Sequence, residues 1–590
     1  MGVSMIKLLK HMKRKEWLQV IASFIFIIAQ VWLDLKLPDY MSGITILIQT
    51  PGSEMSDIWI AGGKMILCAL GSFGAATAVG FFAARIAAAF SQRLRSLLFS
   101  KVDSFSMEEI NRFETASLIT RSTNDITQVQ LLITMGLQVL IKAPIMGVWA
   151  MTKIAGKGFE WTVATGVTVG IMVTMILLIM IFVMPKFKKM QILTDNLNRV
   201  TSENLTGLRV VRAYNAEDYQ EEKFEHANED LMATQLFTNR GMAVMMPMMT
   251  VLMSGLSLSI YWIGAYLING AKAMERLPLF SDMVVFSSYA MQVIMPFIML
   301  VMIFIMLPRA SVSAKRINEV LETEPVILNG HTQEGKKGME GQIEFRDVSF
   351  KYPEASDYVL EHISFTAEKG ETIAFIGSTG SGKSTLINLI PRFFDAAGGD
   401  VLVDGINVKE YTQEALHNKL GYVPQKAVMF RGTVSSNVGY GENGKKKPVQ
   451  KEIEAAVRIA QGSEFVEKME NQYDSDISQG GTNVSGGQKQ RLAIARAVCR
   501  KPEIYIFDDS FSAVDYKTDR MLRIMLKKET AGVTTLIVAQ RIGTIMDADQ
   551  IIVLEEGKIV GKGTHKELIN TCEVYREIAI SQLSEEELIS

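Results

Sequence analysis

The sequence predicts a two-part chain: an α-helical membrane domain of about six spans, then a soluble α/β domain with a phosphate-binding loop. Three observations carry that expectation. Apolar residues make up 48% of the 590, and they crowd into long runs before about residue 308, with ordinary mixed sequence from about residue 341. Basic residues flank those runs on alternate sides. A glycine-rich stretch, Gly377 to Ser384, lies between a strand-like and a helix-like segment of the second part. A chain of this length also exceeds one hydrophobic core, so division into domains follows from size alone.

A span needs about 20 mainly apolar residues. Six candidates fit, at roughly 18–37, 59–83, 134–152, 162–184, 242–269 and 282–307. Their flanks obey the positive-inside rule. Lys7, Lys10, Lys13, Arg14 and Lys15 precede the first; Arg93, Arg95, Lys101, Arg112 and Arg121 follow the second. Lys186, Lys188 and Lys189 follow the fourth, and Arg309, Lys315 and Arg316 the sixth. The connection from Pro38 to Asp57 has no Lys or Arg and holds Asp39, Glu54 and Asp57. Both termini and the second part are therefore expected in the cytoplasm, with the chain multi-pass in a cell membrane.

Residues 84–133 and 185–241 are long, polar and helix-patterned, and read as helices continuing beyond the membrane. Met5 to Trp17 alternates basic with apolar residues and is either an interfacial helix or a simple basic flank. Met291, Met295, Met299, Met302 and Met306 share one helical face of the sixth span. Met242, Met245, Met246, Met249 and Met253 repeat the theme on the fifth. Thioethers suit a surface that adapts to varied apolar ligands, and they suit helix–helix or lipid packing equally. Gln292 is the polar group to watch on the sixth span.

A net charge of −2 gives a broad nucleic-acid surface no support. Cys68, Cys499 and Cys572 are far apart and odd in number, against a disulfide framework or a zinc site. The N-terminal apolar stretch lacks a small-residue cleavage site, so it is expected to be retained.

In the second part, a polar linker over 325–340 leads to a strand-like run, Thr372 to Ile376. Gly377, Ser378, Thr379, Gly380, Ser381, Gly382, Lys383 and Ser384 then fit G-x-x-x-x-G-K-[ST], and a helical pattern starts at Thr385. Glycines let backbone N–H groups close around phosphate oxygens, and the helix start favours anions. Lys383 can reach the outer phosphates of ATP, and Ser384 can ligate Mg²⁺. A metal-holding carboxylate is expected at another strand end, and Glu503 to Asp508 supplies one in Asp508. Ser485, Gly486, Gly487 and Gln488 open a further helix, a second anion-binding geometry.

These motifs make the second part resemble an ATP-binding cassette domain, with Ser485 to Gln488 matching that family's signature. The resemblance places Tyr352 against adenine and makes Gln425 the Q-loop residue that touches Mg²⁺ and the membrane domain. It makes Ser512 to Asp515 the D-loop. The first part resembles the six-helix exporter type, with Ser117 to Asp125 and Glu203 to Tyr214 similar to its two coupling regions. The implied boundaries are 1–324 for the membrane domain, 325–340 for the linker and 341–590 for the cassette.

Two residues depart from the family pattern. Asp509 stands where a general-base Glu is usual, one methylene short of the attacking water. Gln540 stands where a switch histidine is usual, and an amide cannot carry the proton or charge an imidazole can. The resemblance therefore implies an ATP site that hydrolyses slowly, since general-base catalysis is worth roughly 10²–10⁴-fold. Ser478 to Gly481 also lacks an acidic residue often found there in exporters. An intact signature beside a degenerate site implies a heterodimer, this chain's Ser485 to Gln488 completing a competent site on a non-identical partner. The expected substrates are hydrophobic, amphipathic or drug-like small molecules, exported from the cytoplasm. Uptake of a metal chelate through an exporter-shaped protein, and a nucleotide-gated sensor that does not pump, are the alternatives.

Overall fold

Among the described residues, six helices are long and apolar enough to cross a membrane: Arg14–Ile48, Met55–Asp103, Thr115–Ile154, Phe159–Thr206, Glu217–Gly270 and Arg276–Leu300. The computed structural model that shows them describes residues 2–50, 52–155, 158–272, 275–353, 355–512 and 516–583. The chain divides into two compact units. The first comprises Met1–Asp103 with Thr115–Thr323, the second Ser104–Glu114 with Glu324–Ser590.

Helices dominate the first unit because a bilayer core offers backbone N–H and C=O groups no partners but their own. The second helix runs on to Asp103 and the fourth to Thr206, well beyond their apolar runs. The second connection is not one continuous helix. It leaves helical geometry at Ser104, and π-helical turns at Arg121–Asp125 and Gly136–Leu140 interrupt the third span. Phe286, Tyr289, Trp161, Ile260 and Leu256 form the centre of the bundle core, with Trp161 Nε1 donating to Ile260 O at 3.1 Å. The start of the chain forms a helix, Gly2–Leu9, that breaks at residues 10–13 before the first span and so does not run on through Trp17 as one segment. Leu8 is buried, Asn318 Nδ2 donates to Ser4 O at 2.7 Å, and Lys7 pairs with Glu322 at 2.8 Å.

The methionine face of the sixth span splits from its packed face. Val285, Phe286, Tyr289, Val293 and Ile294 are buried, whereas Met295 and Met299 are exposed. On the fifth span Met249 is core and Met246 is exposed. The bland packing reading thus holds for Met249.

The second unit holds strands β1 (Ile343–Phe350), β2 (Leu360–Ala367), β3 (Thr372–Gly377), β4 (Gly398–Val403), β5 (Ile406–Asn407) and β6 (Leu420–Val423). These are followed by β7 (Gly432–Thr433), β8 (Asp476–Ile477), β9 (Ile504–Asp508), β10 (Thr534–Val538), β11 (Gln550–Glu555) and β12 (Lys558–Gly563). An antiparallel sheet runs β2-β1-β4-β5, and a second sheet runs β12-β11-β3-β10-β9-β6. The second is parallel except for β12. Its strands β3, β9 and β10 are almost wholly buried, as near-continuous apolar runs such as Ile504 to Phe507 require. One core cluster joins both sheets and the helix Lys383–Asn388; another gathers the helices around Gly486–Cys499.

Residues 330–341 are tied to this unit by their backbone. Gly330 N donates to Tyr411 O, Lys336 N to Asp404 O, each at 2.9 Å, and Gly341 N to the buried Asp404 carboxylate at 2.7 Å.

Candidate functional site

Strand register brings the site together. Val538 pairs with Phe375 on one side and with Asp508 on the other. Phe375, Val538 and Asp508 are therefore level, and the residues that follow them arrive at one edge of the sheet. Ligands of open parallel sheets sit beyond these carboxyl ends.

Past β3 the chain turns through Gly377 to Gly382. Gly380 has φ +86° and Gly382 φ +93°, left-handed conformations that glycine adopts without penalty. A Cβ on Gly382 would lie 2.7 Å from Leu360 Cδ2, whereas one on Gly380 would meet nothing within 4 Å. The loop is thus fixed at its base and open at its tip, where Ser378, Thr379 and Gly380 are exposed. Lys383 folds back under it, its Nζ donating to Gly377 O at 2.9 Å, Ser378 O at 2.7 Å and Ser381 Oγ at 3.3 Å. The expected reach of Lys383 to phosphate is here spent on the loop's own carbonyls.

Ser384 Oγ donates to Asp508 Oδ1 at 2.8 Å. Two hard oxygens so close suit Mg²⁺, which takes few protein ligands and keeps water and phosphate oxygens for the rest. The electrostatics fit as well. Burial pushes the Asp508 carboxyl above the usual carboxylate range, although the Ser384 hydrogen bond and Lys383 oppose it. Burial also pushes the Lys383 ammonium below its ordinary value, against the pull of Asp509 and Asp508. The hydrogen-bond partners of both groups are neutral, and a phosphate anion with its cation would supply the opposite charge to each.

Asp509 lies at φ +44°, its N–H donating to Val538 O at 3.0 Å. Its Oδ2 receives two amide donors, Gln540 Nε2 at 2.8 Å and Gln425 Nε2 at 3.2 Å. Asp509 and Gln540, the two residues expected to depart from the family pattern, are therefore hydrogen-bonded to each other, with Gln425 on the same oxygen. Tyr352 lies beside the helix that follows the glycine loop, its hydroxyl 3.0 Å from Thr385 Oγ1 and its ring edge-on to Phe350 and Phe394.

The signature residues lie elsewhere. Ser485 caps the helix Gly486–Cys499: its hydroxyl accepts from Gln488 N, and Gln488 Oε1 accepts from Ser485 N at 2.9 Å. This reciprocal box orders the helix start, while Ser485 and Gly486 stay exposed. Val484 and Leu492 anchor that helix in one core cluster, whereas Leu386 and Ile387 anchor the phosphate loop in the other. Of the D-loop stretch, Ser512 donates to Asp509 O at 3.0 Å; Ala513 to Asp515 lie outside the described residues.

Sequence reasoning passed over Glu109. It is buried, accepts from Ser106 N at 2.7 Å and from Val326 N at 2.9 Å, and so fastens the helix Met107–Phe113 to the start of the second unit's main segment. The signal was present as Ser106-Met-Glu-Glu109, a capping-box spacing.

Residues 360–512 match the ABC transporter family, and residues 18–297 match the ABC transporter transmembrane region. An uncharacterized ABC transporter ATP-binding protein of Mycobacterium tuberculosis is 40% identical over 88% of this chain and 87% of its own length. The uncharacterized ABC transporter ATP-binding protein YfiB of Bacillus subtilis is 37% identical, covering 90% of this chain and 91% of itself. The ATP-dependent lipid A-core flippase of Aromatoleum aromaticum is 31% identical over 86% of this chain and 83% of its own. The solved structure of a bacterial Atm1-family ABC exporter with ATP bound superposes with a TM-score of 0.80 at 23% identity, over 96% of this chain and 99% of that one. The chain belongs to the ABC transporter family. It is an integral membrane, ATP-binding half-transporter with the exporter fold.

Proposed function

We propose that this chain is one half of a heterodimeric exporter, and that its own ATP site holds nucleotide with Mg²⁺ and turns it over slowly. The contact between Asp509 and two amides carries this reading. A general base must take a proton from water and pass it on. The Asp509 oxygen is engaged by Gln425 and Gln540, and neither amide relays a proton. Lys383 and the loop N–H groups would hold phosphate, Tyr352 would flank the base, and Ser384, Asp508 and Gln425 would hold the metal. The metal, when bound, neutralises charge on the phosphates.

The exposed start of the helix Gly486–Cys499 supports the second half of the proposal. Ser485 and Gly486 lie on an open surface at a helix start, where the first helical N–H groups have no intrahelical partner, so they serve a nucleotide held by a non-identical partner. ATP binding would draw the two cassettes together, and hydrolysis at the partner-based site would release them. The membrane domain is assigned to 1–324, the linker to 325–340 and the cassette to 341–590, with both termini cytoplasmic. The cargo is a hydrophobic, amphipathic or drug-like compound moved outward, and a relative named as a lipid flippase supports an amphipathic cargo.

ATPase turnover of the chain alone and with its partner tests this. Fast turnover only in the pair, lost with Ser485→Ala or Gly486→Asp in this chain and little changed by Asp509→Asn, is expected. Fast turnover by the chain alone, abolished by Asp509→Asn, would make Asp509 a working base and overturn the proposal. Transport into inverted vesicles separates export from uptake.

A further inference from the structure

Within the bundle, two lysines of the third span pair with two aspartates of the first, and the second and sixth spans add neutral polar partners. Lys142 pairs with Asp34 at 3.2 Å, and Lys153 pairs with Asp39 at 2.9 Å. Ser72 donates to Asp34 Oδ1, Tyr289 donates to Asp39 Oδ1, and Lys36 lies 3.8 Å from Asp39. Gln292 Nε2 donates to Asp34 O at 3.3 Å, while its buried Oε1 has no partner among the described residues.

Ionisable groups within spans are costly and mark functional sites by default. A bundle needing only adhesion could use small residues and hydroxyls, as Ser42 and Ser281 do at 2.9 Å between the first and sixth spans. Among the charged groups of the cluster, the unspent valence is one-sided. Both oxygens of Asp34 and both of Asp39 are engaged. An ammonium carries three N–H groups, and Lys142 and Lys153 each direct one at a carboxylate. Three lysines against two aspartates also leave the cluster one positive charge in excess.

We propose that Lys142 and Lys153 form a headgroup site for an amphipathic anion, whose phosphate or carboxylate oxygens take the remaining N–H groups of the two ammoniums. Gln292 Oε1 accepts from a hydroxyl of the same head. The tail lies along the apolar faces of the flanking spans. This deepens the exporter reading and rests on it, because it names the class of cargo.

Dodecyl phosphate, dodecyl maltoside, dodecyltrimethylammonium and inorganic phosphate are titrated calorimetrically into the full chain in nanodiscs, with empty nanodiscs subtracted. Dodecyl phosphate is expected to bind at least about tenfold tighter than the other three, the scale of one charge-assisted hydrogen bond. The neutral pairs Lys142→Gln with Asp34→Asn, and Lys153→Gln with Asp39→Asn, are expected to abolish that preference and leave dodecyl maltoside binding unchanged. Equal affinity for the three amphiphiles in the natural chain overturns the proposal without any variant having to fold. So does a preference that survives in both neutral pairs, or inorganic phosphate binding as tightly as dodecyl phosphate. Binding is read without ATP, so a failure of ATP turnover in the paired complex counts against the exporter reading and not against this one.

Discussion

In the proposed function, Asp509 and Gln540 slow the reaction through a short change of side chain that leaves the fold in place. Both remain on the level strand ends, and their 2.8 Å hydrogen bond closes the gap that a longer carboxylate and an imidazole would span differently. Restoring Asp509→Glu together with Gln540→His should raise hydrolysis at this chain's own site by about 10²-fold or more. The measurement is ATPase activity of the pair with the partner-based site inactivated. At Gly382 the constraint is steric. Gly382→Ala places a Cβ at φ +93° and 2.7 Å from Leu360, so about 1–3 kcal/mol of strain is expected. Nucleotide-induced thermal stabilisation should be lost in that variant and kept in Thr379→Ala, whose side chain is at the open tip.

Among the elements, the helix Met107–Phe113 depends most on one residue. Burial alone would raise the Glu109 carboxyl, but hydrogen bonds from Ser106 and the Val326 N–H outweigh it and hold the group below its ordinary value of 4.5. A depressed folded value means that the unfolded chain binds the proton first. The attachment is therefore at full strength above about pH 4.5 and is lost as pH falls through the folded value. Glu109→Gln should cost about 1–3 kcal/mol by breaking charge-assisted bonds to buried donors. Limited proteolysis should then cut faster within 104–114, at neutral pH in the variant and only in acid in the natural chain. The helix Gly486–Cys499 depends on its reciprocal cap in a similar way. Gln488→Ala removes one arm of that cap and should weaken it by about 1 kcal/mol, read as slower turnover of the pair at saturating ATP.

For the whole molecule, the decisive feature is that the phosphate loop and the signature are built into different core clusters. In a heterodimer, the chain should purify alone as a slow ATPase and gain turnover on titration with its partner, with half of the nucleotide exchanging slowly. Two equally fast sites in the complex would be the contrary result.

Much of this architecture was legible in the residues. Six apolar runs and their basic flanks mark six spans, because lipid tolerates only helices whose backbone is internally satisfied. Gly377 to Ser384, Asp508 and Ser485 to Gln488 could be read because phosphate chemistry restricts residue type and spacing within short stretches. Local sequence does not encode groups that meet over long separations. The shared contact of Gln425 and Gln540 on Asp509, the attachment of Glu109 to Val326, and the pairing of Lys142 and Lys153 with Asp34 and Asp39 arise where the chain has already folded. The sequence alone determined the class of machine, since motif and hydropathy act through neighbours along the chain. Tertiary structure decided which polar groups are satisfied and which keep spare valence, because that depends on neighbours in space.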